Sequence, residues 1–143
     1  MRALAVISGV FGLLIATVPQ FLLPVCSGSI ETKAGSFIPM KCFWTGRAEL
    51  AVGALIVLVS ILLFFSRKRS MALPLHITLV GLGVVALLLP TSLIGVCMSP
   101  TMACRIGTLP GLVVLSSLVI VTGLAGIALS IRKEPQPVSW PDA

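Results

Sequence analysis

Charge is what this chain has least of. Asp, Glu, Lys and Arg make up 10% of its 143 residues, against about 25% in soluble domains. So few charges cannot cover a water-facing surface, and a soluble globular domain is excluded. Tyrosine is absent, histidine occurs once and acidic residues number four. Nothing in the sequence resembles a nucleophile–His–Asp set, a carboxylate pair or a phosphate-cradling loop. The lone histidine, His76, has no carboxylate or cysteine near it in sequence. It reads as a packing or interfacial side chain rather than a ligand.

What is there is apolar: 57% of the chain. Residues 3–25, 50–66, 73–96 and 106–131 contain no Asp, Glu, Lys or Arg. A hydrocarbon core of ~30 Å takes ~20 apolar residues as helix, so each is a membrane span, the second only just long enough. In lipid the backbone must satisfy itself, and helices do so segment by segment. The expected fold is an all-α integral membrane protein with four transmembrane helices. One domain covers residues 1–131, followed by a disordered cytoplasmic tail over 132–143 that carries three prolines and Trp140.

The net charge of +6 is not a nucleic-acid signal, because of where the charges fall. Arg2, the run Arg67-Lys68-Arg69, and Arg132-Lys133 abut span ends on one side. Lys33, Lys41, Arg47 and Arg105 lie on the other, partly offset by Glu31 and Glu49. The positive-inside rule then puts both termini in the cytoplasm and both cysteine-bearing loops outside. The protein is expected in the plasma membrane, with the lipid bilayer as its first partner.

The chain also repeats itself. Pro19-Gln-Phe-Leu-Leu-Pro-Val-Cys26 has the form of Pro90-Thr-Ser-Leu-Ile-Gly-Val-Cys97, and Met40-Lys-Cys42 that of Met102-Ala-Cys104. Leu50 and Leu112 each follow eight residues after the second cysteine. Two copies of one helical hairpin, over about 1–66 and 73–131, account for this. The start resembles a secretory leader, but its counterpart ends the third span, so the first span is expected to be retained. Pro19 and Pro90 should each remove a backbone bond and bend a helix. Small residues in the later spans (Gly81, Gly83, Ser116, Ser117, Thr122, Gly123, Gly126) are expected at helix contacts. The first loop reads as turns at Ser27-Gly28-Ser29 and Ala34-Gly35-Ser36, with Trp44 as an interfacial anchor.

Four cysteines on the outer side permit three chemical readings. The repeat favours structural disulfides between Cys26 and Cys42 and between Cys97 and Cys104, which persist in an oxidising compartment; cross-repeat pairing would also respect a two-fold axis and stays open to sequence. Thiol–disulfide exchange is the second, with the layout of quinone-linked thiol oxidases. Those carry a Cys-x-x-Cys pair, however, and here fifteen and six residues intervene. The third is soft-metal binding, with Met40, Cys42, Cys97, Met98, Met102 and Cys104 as ligands suited to Cu(I). Arg47, Glu49 and Arg105 flank these positions. Glu49 is expected near the positive N-terminal end of the second helix, with Arg47 at the headgroups.

The runs Pro39-Met-Lys-Cys42-Phe-Trp-Thr-Gly-Arg-Ala-Glu49 and Cys97-Met-Ser-Pro-Thr-Met-Ala-Cys104-Arg-Ile-Gly-Thr-Leu-Pro110 carry a resemblance. They are similar to a family of small four-span prokaryotic membrane proteins catalogued as a domain of unknown function. The resemblance extends over nearly the whole chain up to the tail. It implies no established activity, and it loosely suggests company with ABC-type export components. Frequent histidine at the position of Phe43 in that family weakens any metal reading that uses that side chain here. The function expected is a membrane accessory or partner protein with disulfide-braced outer loops and no cofactor. A thiol redox protein and a copper-binding protein are the alternatives.

Overall fold

The computed structural model describes residues 2–22, 29–31, 35, 37–39, 41–66, 69–96 and 104–132. Helix α1 (Arg2–Thr17) runs into a π-helical turn, Val18–Leu22. A two-stranded antiparallel ribbon follows, β1 (Ser29–Glu31) with β2 (Phe37–Pro39), in the register Ser29↔Pro39, Ile30↔Ile38, Glu31↔Phe37. Gly35, at φ +75°, supplies the left-handed backbone between the strands that a side chain would resist. Then come α2 (Lys41–Phe65), α3 (Arg69–Leu88) with a second π turn (Leu89–Leu93), and α4 (Leu109–Arg132) entered through a third, Cys104–Thr108. Among the described residues the fold is all-helical apart from the ribbon, which the turn residues of the first loop did not reveal.

Among the described residues four helices are long and apolar enough to cross a membrane: Arg2–Phe21, Cys42–Phe65, Met71–Leu93 and Cys104–Arg132. The second begins eight residues before the expected start at Leu50. Arg47 and Glu49 do not break the helix, because both have good helix propensity. Their side chains leave on different faces: Arg47 is exposed and Glu49 is buried.

The interior mixes small polar residues with apolar ones, and the exterior is large and apolar. Ser8, Thr45, Ser60, Thr108 and Ser116 are buried, while Leu55, Leu58, Leu62, Val114 and Val121 are exposed. That inversion suits hydrocarbon outside, where close approach and hydrogen bonds, not apolar burial, hold helices together. α1 packs chiefly on α2 and α3 on α4, both antiparallel. A Cβ on Gly53 would stand 2.7 Å from the Ala16 nitrogen and 2.8 Å from the Gly12 oxygen. Two turns further along α2, Ser8 Oγ and Ser60 Oγ share a 2.9 Å hydrogen bond. Across α3 and α4, a Cβ on Gly83 would meet Ile120 at 2.9 Å, and Gly123 lies against Val80. Of the small residues expected at contacts, Gly81 and Ser117 are instead exposed.

Burial keeps a constant spacing. Ala5, Ser8, Gly12, Ile15, Val18 and Pro19 are buried in the first helix, and His76, Leu79, Gly83, Ala86, Leu89 and Pro90, each 71 positions later, in the third. Thr45, Glu49, Gly53, Ile56, Ser60 and Leu63 stand likewise 63 positions before Thr108, Leu112, Ser116, Val119, Gly123 and Gly126. Cys42 and Cys104 are 62 apart. The π turn Cys104–Thr108 takes up the additional residue, as π turns do. Leu50, matched with Leu112 by sequence, is 40% exposed, whereas Glu49 and Leu112 are both at 0%.

Candidate functional site

Two ends of the bundle can be distinguished. Arg2, Phe65, Arg69 and Arg132 lie at one, and the π turns with Cys42 and Cys104 at the other. At the first, the Arg2 guanidinium lies 6.0 Å from the Phe64 ring centroid.

The cysteine end is built on the first turns of α2. Cys42 is fully buried, as is Cys104 at the head of the π turn leading into α4. The two are not bonded to each other. One turn along α2, Thr45 Oγ1 donates to the Gly95 carbonyl at 2.8 Å. Gly95, at φ +77°, closes α3: its N–H and that of Ile94 both reach the Leu89 carbonyl, at 3.1 and 3.0 Å. Beside this, Gln20 Nε2 donates to the Gly46 carbonyl at 3.3 Å. Thus the π turns of α1 and α3 are each tied to the start of α2. Pro19 and Pro90, both fully buried, have no N–H for the carbonyl one turn earlier, which is why the helix widens there.

Glu49 lies one turn below Thr45 on the same face. It is 0% exposed, and neither carboxylate oxygen has a hydrogen-bond partner. The expectation that it sits near the positive end of α2 is corrected: it is the ninth residue of the helix, beyond the first turn in which the dipole acts. It does not pair with Arg47 either. That guanidinium lies 5.5 Å from the Phe43 ring centroid, stacked one turn back along an exposed face. Trp44 is exposed on the first turn, in edge contact with Phe43 at 6.0 Å. Arg105 is exposed on the π turn into α4.

Of the sequence candidates, Cys26, Cys97, Met40, Met98 and Met102 lie outside the described residues, as do Arg67, Lys68 and the tail from 133 on. Among the described residues, no group of three or more His, Cys, Asp or Glu could hold a metal ion. His76, at the other end, is buried to 1% with both ring nitrogens unpartnered. Its ring fills the space where a Cβ on Gly126 would stand. Sequence reasoning did not foresee the burial of Glu49 or the ties made by Gln20 and Thr45. The signal was present: extending the small-residue face of α2 back from Ser60 and Gly53 at helical spacing reaches Glu49, Thr45 and Cys42.

Apolar exteriors, small-residue helix contacts and a polar, proline-turned end define a small multi-pass membrane protein. The chain belongs to the family described as Domain of unknown function (DUF4418), whose sequence model matches residues 8–130. No curated protein and no solved structure matches it.

Proposed function

We infer that this protein is an accessory or partner subunit of the plasma membrane rather than an enzyme, with extracytoplasmic loops braced by two disulfides. The complete burial of Cys42 and Cys104 at the heads of α2 and α4 is the observation that carries it. Exchange-active thiols need partial exposure and an electropositive setting, whereas buried sulfurs are structural. Each of the two stands at the end of a loop holding another cysteine, Cys26 or Cys97. Pairing within each loop braces the cysteine end against opening.

The bundle is two copies of one hairpin. The constant spacings of 71 and 63 between buried positions support this, with a two-fold axis along the membrane normal because both halves begin at the same end. Arg2 and Arg132, with the Arg67-Lys68-Arg69 run between α2 and α3, put the termini in the cytoplasm by the positive-inside rule. The partner is another membrane protein, and the family resemblance favours a component of an ABC-type export system.

The thiol count of protein purified without reductant, then denatured to expose buried sulfurs, tests the reading. No reactive thiol is expected, with no change on adding Cu(I) or a quinone. Free thiols with bound copper would establish the soft-metal alternative. Thiols that a quinone reoxidises would establish the redox one.

A further inference from the structure

The geometry points to Glu49 as a proton-binding site inside the membrane, one that exchanges its proton with the aqueous phase at the cysteine end only. An ionised carboxylate can be buried at low cost only when paired or hydrogen-bonded. Glu49 is 0% exposed with both oxygens unpartnered, so the form that occupies this position at least cost is the neutral acid. Membrane spans rarely hold such a residue without a use for it.

Its depth follows from the packing of α1 on α2. Ser60 meets Ser8, Gly53 meets Ala16, and Gly46 meets Gln20. Glu49 therefore stands between the levels of Ala16 and Gln20, beside the π turn at Pro19. Above it the face is polar: Thr45, the Gly46 carbonyl and the half-buried Gln20 amide. Below it Ile15, Ile56, Val59, Leu79, Leu112 and Val119 form one buried apolar cluster, and the buried hydroxyls at those levels, Ser8, Ser60 and Ser116, are committed to helix carbonyls or to each other. A proton can be passed among hydroxyl and amide groups but not through that cluster. Access is one-sided, and the site is not a channel.

The charged and titratable groups around it do not replace the proton. α1 and its π turn contribute only Arg2, at the far end over Phe64. α3 and its π turn contribute Arg69, which opens that helix at the far end, and His76, seated against Gly126. Along α2 itself, Arg47 is turned outward over Phe43, and Lys41 and Cys42 lie two turns above. Cys104 and Arg105 belong to the turn into α4. A metal ion of the hard class needs about six oxygen ligands. Thr45 Oγ1 is already engaged with Gly95, so a lone carboxyl is a site for a proton and not for such an ion. The residue 63 positions on, Leu112, is equally buried, so any such site belongs to one half of the bundle alone.

The test is labelling of the full-length protein in membranes with the hydrophobic reagent dicyclohexylcarbodiimide, followed by peptide mass analysis. The acid O–H adds across one C=N bond, its proton going to nitrogen and its oxygen to the central carbon. Rearrangement to the N-acylurea leaves the whole reagent on the residue, with no leaving group and no redox change. Glu49 is expected to take up the label, to lose it progressively as the pH is raised, and to be indifferent to added sodium. E49Q, which keeps the shape and removes the acid, should fold and show no label at this peptide. Absence of label on wild-type Glu49 at every pH would overturn the proposal. So would labelling that does not change with pH, or protection by sodium at fixed pH, which would make the site one for a metal cation. The three overturning results are all read on wild-type protein, so they stand even where E49Q fails to fold, and they do not depend on the state of the cysteines.

Discussion

Replacing Gly53 by valine is expected to abolish the native packing of α1 on α2. A Cβ there would come within 2.7 Å of the Ala16 nitrogen, 2.8 Å of the Gly12 oxygen and 2.9 Å of the Ala16 Cβ. Two of these neighbours are backbone, which cannot rotate aside as a long side chain can. The helices must move apart, and with them goes the close approach that membrane packing depends on. Overpacking a core that can yield costs ~1–3 kcal/mol. Here the loss should exceed ~3 kcal/mol, on the order of 10 °C in Tm for a chain of this length. The same substitution at Gly81, which has nothing within 4 Å of its Cβ position, should stay within ~0.5 kcal/mol. Thermal unfolding of the two variants in one detergent decides it; equal behaviour would mean that Gly53 is not at the contact.

The second large effect lies at the other end of the bundle, where His76 and Gly126 share one space. The imidazole occupies the position a side chain on Gly126 would take, and α3 and α4 pack around it. Gly126→Val should destabilise by several kcal/mol, since the ring is 1% exposed and has nowhere to go. His76→Ala should also destabilise, by the cost of an unfilled volume, offset in part because two unpartnered ring nitrogens are removed. The double variant should be more stable than the sum of the singles allows, by ~1–3 kcal/mol, because each change relieves the other. Additive losses in the cycle would show that the two residues do not compete for one site.

The apolar runs made the four helices legible, because they depend on composition over long windows; the proline and cysteine echoes carry the proposed two-part organisation, which the burial spacings of 71 and 63 support. What the sequence hid is local. The break in apolarity at Arg47 and Glu49 looked like a span end, yet a helix carries one charge outward over Phe43 and the other inward without interruption. Charge alone does not say which way a side chain leaves a helix; its phase relative to Gly53, Ile56 and Ser60 does. The offset in the second half was hidden for a related reason. Counting from Cys104 aligns Leu112 with Leu50, and only the additional residue held in the Cys104–Thr108 turn restores its match to Glu49. The ribbon at Ser29–Glu31 and Phe37–Pro39 is too short for any periodicity to register. His76 was read as a packing residue, and its place against Gly126 is that.

The most direct measurement of the proposed two-unit, disulfide-braced architecture is peptide mapping of the unreduced protein, with thiols blocked before digestion to prevent exchange. A disulfide requires Cα atoms within ~7 Å, which each loop can arrange for its own pair of cysteines. Cys26 linked to Cys42 and Cys97 linked to Cys104, in full yield, is the expected result. Cross-linked peptides joining one half to the other, or four blocked thiols and no bridge, would contradict it.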